Sequence, residues 1–112
     1  MVKSTTIKAT IEEPRGGTGK IELYEILTPE EMQNRVGLYA KVVIEPYASI
    51  GFHAHENDSE SYYVIEGSGF FIDNEQNKIP IKEGDVCLTC IGESHGLINP
   101  NDQTLVIIAM VL

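Results

Sequence analysis

Apolar residues recur at alternate positions through much of the chain, the repeat of strands with one face turned inward. Runs rich in Val, Ile, Tyr and Phe occupy residues 21–27, 36–45, 61–65, 69–73, 78–81, 85–91 and 104–112, and each predicts a β-strand. Between the runs lie Gly16-Gly17-Thr18-Gly19, Pro46, Glu66-Gly67-Ser68-Gly69, residues 73–77, Glu83-Gly84-Asp85 and Asn99-Pro100-Asn101-Asp102, all with good turn chemistry. Helical periodicity is nearly absent. One candidate covers residues 28–34, with Thr28 as N-cap, Pro29 as first helical residue and Glu31 as capping-box partner, enough for a turn or two. Many short strands with turns between them describe an all-β sandwich or a small barrel.

Composition narrows this further. A chain of 112 residues, 42% hydrophobic and 22% charged, fits one domain spanning residues 1–112. Eight Lys and Arg against 17 Asp and Glu give a net charge of −9, which would repel a duplex or an anionic membrane, so neither is expected as a partner. Residues 1–10 lack the apolar core of a secretory leader and no run approaches the ~18 apolar residues of a membrane span, so a cytoplasmic setting is expected. Cys87 and Cys90 form a C-x-x-C string, but within a strand residues three apart point to opposite faces. Two structural thiols are expected, not a redox pair or a zinc site. Gly19-Lys20 mimics the end of a phosphate loop. Pro14 stands where such a loop requires its first Gly, and Ile21 where it requires Ser or Thr, so the stretch is read as a strand entry.

The candidate chemistry lies with the histidines. There are three, His53, His55 and His95. On an extended strand His53 and His55 project from one face with Cβ atoms about 7 Å apart, close enough for both rings to reach one ion. Glu60 follows a polar connection and opens the next strand, where its carboxylate can face the same interior. His95 lies beyond Gly92-Glu93-Ser94, where a bend could turn its ring the same way. Taken singly, each also fits a half-buried polar side chain, although burying a charge without a partner is costly.

The spacing around these residues resembles the two sequence motifs of the cupin superfamily. The first runs G-x5-H-x-H, three or four residues, E, six residues, G, and here His53-Ala54-His55, Glu60 and Gly67 stand at those offsets. The second runs G-x5-P-x-G-x2-H-x3-N, and Gly84, Gly92, His95 and Asn99 match it. Tyr47 replaces the opening Gly and Cys90 replaces the Pro, departures that concern local backbone shape. Gly51 is a candidate for restoring flexibility lost at Tyr47.

The resemblance implies a double-stranded β-helix, a jelly-roll barrel of the small cupin 2 type, usually paired as a homodimer. The apolar final strand 105–112 fits a core position or, failing that, an interface. The resemblance makes His53, His55, Glu60 and His95 ligands of one divalent transition metal, among iron, manganese, nickel, zinc, cobalt and copper. With a dipositive ion, three neutral imidazoles and one carboxylate leave the site at about +1. The activity it implies is that of a metalloenzyme acting on a small oxygen-bearing metabolite that chelates the metal. Such an enzyme would be a dioxygenase, or an isomerase or lyase using the metal as Lewis acid. The alternative is a non-catalytic cupin that binds a sugar or metabolite.

If Glu60 points inward, strand parity puts Tyr62 and Val64 inward and Tyr63 and Ile65 outward. Tyr62 is then the candidate acid/base phenol, or else a core aromatic. Tyr24 and Tyr39 are further candidates for the barrel lining. Arg15 and Arg35 are the only guanidinium groups, and neither suggests a clamp for a phosphate or dicarboxylate. Small neutral or singly charged substrates that bind the metal directly are therefore expected.

Overall fold

The computed structural model describes residues 1–112, and its alternating runs pair into antiparallel sheets. Ten strands form: β1 (Thr6–Glu12), β2 (Lys20–Glu25), β3 (Leu38–Ile44), β4 (Ser49–Ala54), β5 (Glu60–Glu66), β6 (Ser68–Ile72), β7 (Lys78–Lys82), β8 (Val86–Thr89), β9 (Ser94–Ile98) and β10 (Leu105–Val111). The larger sheet has the order β1-β2-β3-β10-β5-β8 and the smaller β4-β9-β6-β7. Strands distant in sequence thus become neighbours, with β10 between β3 and β5, and β9 between β4 and β6. That is the winding of a double-stranded β-helix. Ala40, Val42 and Ile44 alternate inward from β3 and share one core cluster with Ile50, Phe71 and Leu97 of the smaller sheet. No helix is long and apolar enough to cross a membrane.

All seven expected strands form, with ends shifted by a residue or two. Three more were not expected as apolar runs. β1 is exposed along nearly its whole length, and β4 and β9 carry the Ser, Gly and His residues that interrupt an apolar pattern. The expected helix at 28–34 is corrected to a series of turns. Its capping box forms, with the Thr28 N–H donating to Glu31 Oε1 at 2.9 Å and the Glu31 N–H to Thr28 Oγ1 at 3.1 Å. Propagation then fails, because Gln33 and Asn34 enter the left-handed region at φ 57° and 59°.

The departures from the motif have local explanations. Tyr47 adopts φ 62°, a left-handed conformation that glycine enters without a steric cost. Gly51 does not relieve it. A Cβ on Gly51 would lie 2.1 Å from the carbonyl oxygen of Arg15, and one on Gly17 would lie 2.1 Å from that of Ser49. These two glycines let residues 13–19 rest directly on β4. At the other departure the Cys90 N–H donates to Glu93 Oε1 at 2.8 Å, a bond that proline could not make. Asn99, fully buried, shares its Nδ2 hydrogens among the carbonyls of Ile44, Glu45 and Gln103 at 3.2, 3.0 and 2.8 Å. It ties the connection between β3 and β4 to the one between β9 and β10.

Because the Tyr47 side chain is 65% exposed, it contributes little packing to offset its backbone cost. Tyr47→Gly is expected to raise unfolding stability by about 1 kcal/mol in urea denaturation. An unchanged or lower midpoint would show that the left-handed backbone carries no penalty here.

Candidate metal centre

Pairing register brings the candidate residues together across both sheets. β4 and β9 run antiparallel with His53 opposite His95, and β5 and β8 with Glu60 opposite Thr89. The register of β4 shifts between Ile50 and His53, so the inward parity passes from Ile50 to His53. His55 lies one residue beyond β4, yet its backbone prolongs the ladder. Its N–H donates to Glu93 O at 2.9 Å, and its carbonyl accepts from the Gly92 N–H at 2.7 Å. His95 lies within β9 and needs no added bend to face inward.

One ligand atom from each of His53, His55, Glu60 and His95 falls within 4.8 Å of all the others. His55 Nε2 is 3.0 Å from His95 Nε2 and 3.0 Å from Glu60 Oε1, and Glu60 Oε1 is 3.2 Å from His95 Nε2. Adjacent ligands at right angles, each about 2.1 Å from one ion, are separated by about 3.0 Å. The cluster could hold a metal ion.

The outer nitrogens determine what the inner ones offer. His53 Nδ1–H donates to the Gly51 carbonyl at 2.7 Å and His55 Nδ1–H to the Asp58 carboxylate at 2.7 Å. Both partners accept only, so each neutral ring presents an Nε2 lone pair to the interior. His95 Nδ1 has Thr89 Oγ1 at 2.7 Å. Burial is the main cause holding the His53 pKa below its ordinary value, opposed by the bond to Gly51, and it keeps the ring neutral at pH 7. Nitrogen lone pairs and a carboxylate therefore converge on one buried point. A cation is what relieves such a convergence.

Over the cluster lies a cavity of about 320 Å³, at the small end of the roughly 300–1,000 Å³ usual for small-molecule sites. Its far wall is aliphatic, with Ile21, Leu23, Val42 and Ile107 from the larger sheet. Tyr62 lines it and Tyr63 and Ile65 face out, as the parity of β5 requires. The Tyr62 hydroxyl is 3.4 Å from His95 Nε2 and its ring stacks on that imidazole at 5.0 Å between centroids. Burial first, then the neighbouring Glu60 carboxylate, pushes its phenol well above the usual pKa.

Three sequence expectations need correction. Tyr24 and Tyr39 do not line the barrel, because Ile21 and Leu23 of β2, and Leu38 and Val42 of β3, hold the inward parity. Tyr24 instead lies under Lys41 Nζ, 4.5 Å from its ring centroid, and its hydroxyl donates to Glu22 at 3.3 Å. Arg15, passed over as a clamp, stands in the cavity wall. Sequence reading also missed Asp58 and Thr89. Asp58 had a faint signal, three residues after His55, whereas Thr89 reaches the site only through the pairing of β8 with β5.

A family model described as a cupin domain, Cupin_2, matches residues 40–111. The chain belongs to the cupin family. This cupin is 40% identical over 102 residues to a protein of Thermotoga maritima named an oxalate-binding protein, covering 91% of this chain and 84% of that one. A crystal structure from Thermotoga maritima, described as a predicted oxalate decarboxylase, has a TM-score of 0.91 at 39% identity, covering 96% of this chain and 92% of that one. A polyketide cyclase from Streptomyces resistomycificus, at 22% identity and a TM-score of 0.78 over 99% of this chain and 80% of that one, shares the fold.

The two cysteines of this cupin take no part in the cluster. Cys87 is buried and Cys90 exposed, and burial, then Asp85, pushes the Cys87 thiol up to about 11. At pH 8 a chromogenic disulfide reagent is expected to titrate one thiol per native chain, and the second only after unfolding. Two fast thiols in the native protein would contradict this placement.

Proposed function

We propose that the chain is a metal-dependent cupin that captures a small dicarboxylate of the oxalate class, with His53, His55, Glu60 and His95 as ligands of one divalent transition ion. The observation that carries this reading is the convergence of His55 Nε2, His95 Nε2 and Glu60 Oε1 within 3.0 to 3.2 Å, with a His53 ring nitrogen no more than 4.8 Å from each. The name of the Thermotoga maritima relative as an oxalate-binding protein supports the ligand class. When bound, such an ion supplies a Lewis acid with positions free for the oxygens of a chelating ligand. The chain supplies the rest. Its neutral imidazoles leave the ion acidic, Asp58 and the Gly51 carbonyl fix two of the rings, and the aliphatic wall excludes water and strengthens charge interactions inside. Tyr62 carries a hydroxyl proton that can be donated to a ligand oxygen.

Turnover is the second reading, favoured by the place of Tyr62 beside His95. Hydrogen oxalate can break its carbon–carbon bond to release carbon dioxide and leave formate, with the proton ending on the remaining carbon. Tyr62, which lines the cavity beside His95 and is not among the proposed metal ligands, is a side chain able to hold that proton in place. Among the enzyme classes the family offers, this is the lyase branch.

The test uses protein purified without a chelating tag. Wild type is expected to carry about one transition ion per chain and to bind oxalate in calorimetry, whereas His53→Ala and His95→Ala lose most of the metal and the oxalate heat with it. Full metal occupancy in both variants would sink the assignment. Tyr62→Phe should keep the metal, and a loss of formate production in that variant selects turnover. Oxalate binding without formate from wild type selects the binding reading.

We also propose a homodimer formed through the outer face of the larger sheet. Tyr63, Ile65, Val86, Leu88, Ile108 and Met110 share that face, with Val86 65% and Leu88 62% exposed. On a chain of net charge −9, an uncharged apolar patch is where a second copy can approach without repulsion. Sedimentation is expected to give a dimer for wild type and a monomer for Leu88→Asp. A wild type that is monomeric at tens of micromolar removes this proposal. The free exposed thiol of Cys90 fits a reducing compartment, in keeping with a cytoplasmic setting.

A further inference from the structure

We propose that Arg15 is the specificity-determining residue of this site, reading the second negative charge of a dicarboxylate held over the His53, His55, Glu60 and His95 cluster. This rests on the oxalate-class reading above and deepens it. Arg15 is the sole Lys or Arg in the cavity wall. Lys3, Lys8 and Lys20 each pair with a carboxylate, but the Arg15 guanidinium makes no ion pair and no hydrogen bond within the protein. An unpaired guanidinium beside an aliphatic wall is a ready partner for an anion.

The backbone beneath it is unusual. Glu13 and Arg15 both adopt left-handed conformations, at φ 47° and 54°, on either side of Pro14. Such residues cost about 1–3 kcal/mol each and persist where the surroundings over-determine them. Here the Glu13 N–H donates to Gly19 O at 2.8 Å and the Gly17 N–H to Pro14 O at 2.9 Å, and the Arg15 carbonyl lies against Gly51. The main chain is pinned while the side chain is exposed. Packing does not call for an arginine at this position.

Charge accounting points the same way. A divalent ion with three neutral imidazoles and one carboxylate carries about +1, enough to neutralise a monoanion. A dianion leaves one negative charge over, and Arg15 is the group placed to offset it.

The test compares oxalate with oxamate, which keeps the chelating shape and has one charge less. Calorimetry on metal-loaded wild type, Arg15→Gln and Arg15→Lys, with metal content and Tm measured on each, reads the effect directly. Arg15→Gln is expected to weaken oxalate by about tenfold or more and oxamate by less than about threefold, with Arg15→Lys intermediate and metal content unchanged. Equal weakening of both ligands, or of neither, overturns the role of Arg15 and leaves the oxalate-class reading in place. A metal-loaded wild type that binds neither ligand overturns both.

Discussion

The interior of this barrel is organised around a repulsion. Two imidazoles are held so that their lone pairs face inward, a third ring and a carboxylate close the same point, and the nearest of these atoms are 3.0 Å apart. Acceptors so placed in a buried setting call for a proton or a cation among them, since an unsatisfied buried acceptor costs about 1–3 kcal/mol: an N–H on His95 Nε2, with Thr89 donating to Nδ1, serves one of them, and a cation serves all. The donors come from opposite layers: His53 and His95 from the smaller sheet, Glu60 from the larger. A cation that relieved the repulsion would also join the layers, so binding and folding would draw on one free energy.

The parts of this arrangement visible in the sequence were those governed by period and spacing. The Val- and Ile-rich strands announced themselves, Tyr62 and Tyr63 divided between faces as alternation demands, and the offsets from His53 to Gly67 and from Gly84 to Asn99 pointed to the fold. The rest depends on pairing between distant strands. Tyr24 and Tyr39 could not be assigned a face before the inward parity of β2 and β3 was known, and that parity follows from their register with each other and with β10. Thr89 meets His95 because β8 lies beside β5. Arg15 belonged to a stretch whose glycines looked like a loose strand entry. Its position follows from a close approach to Gly51, which a linear reading does not reveal.

The two motif departures show how the fold absorbs a substitution. At Tyr47 the chain keeps the left-handed backbone that a glycine would have taken without cost. At Cys90 it gains an N–H that Glu93 uses to brace the turn before His95. Neither replaces a donor residue: the rings keep Gly51, Asp58 and Thr89 as partners, and the turn at Cys90 still holds the His55 backbone through Gly92 and Glu93.

The close seating of residues 13–19 on β4 has an evolutionary corollary. The segment that presents Arg15 is remote in sequence from the donor residues, which lie between His53 and His95, and it touches β4 through backbone atoms at Gly17 and Gly51. Thr18 is bonded to Ser49 and to the Tyr47 carbonyl, but the exposed Arg15 side chain has no such bond and can change without moving the donor set. A lineage that kept the two glycines could exchange one ligand preference for another by drift within this short segment, with the inherited centre left intact.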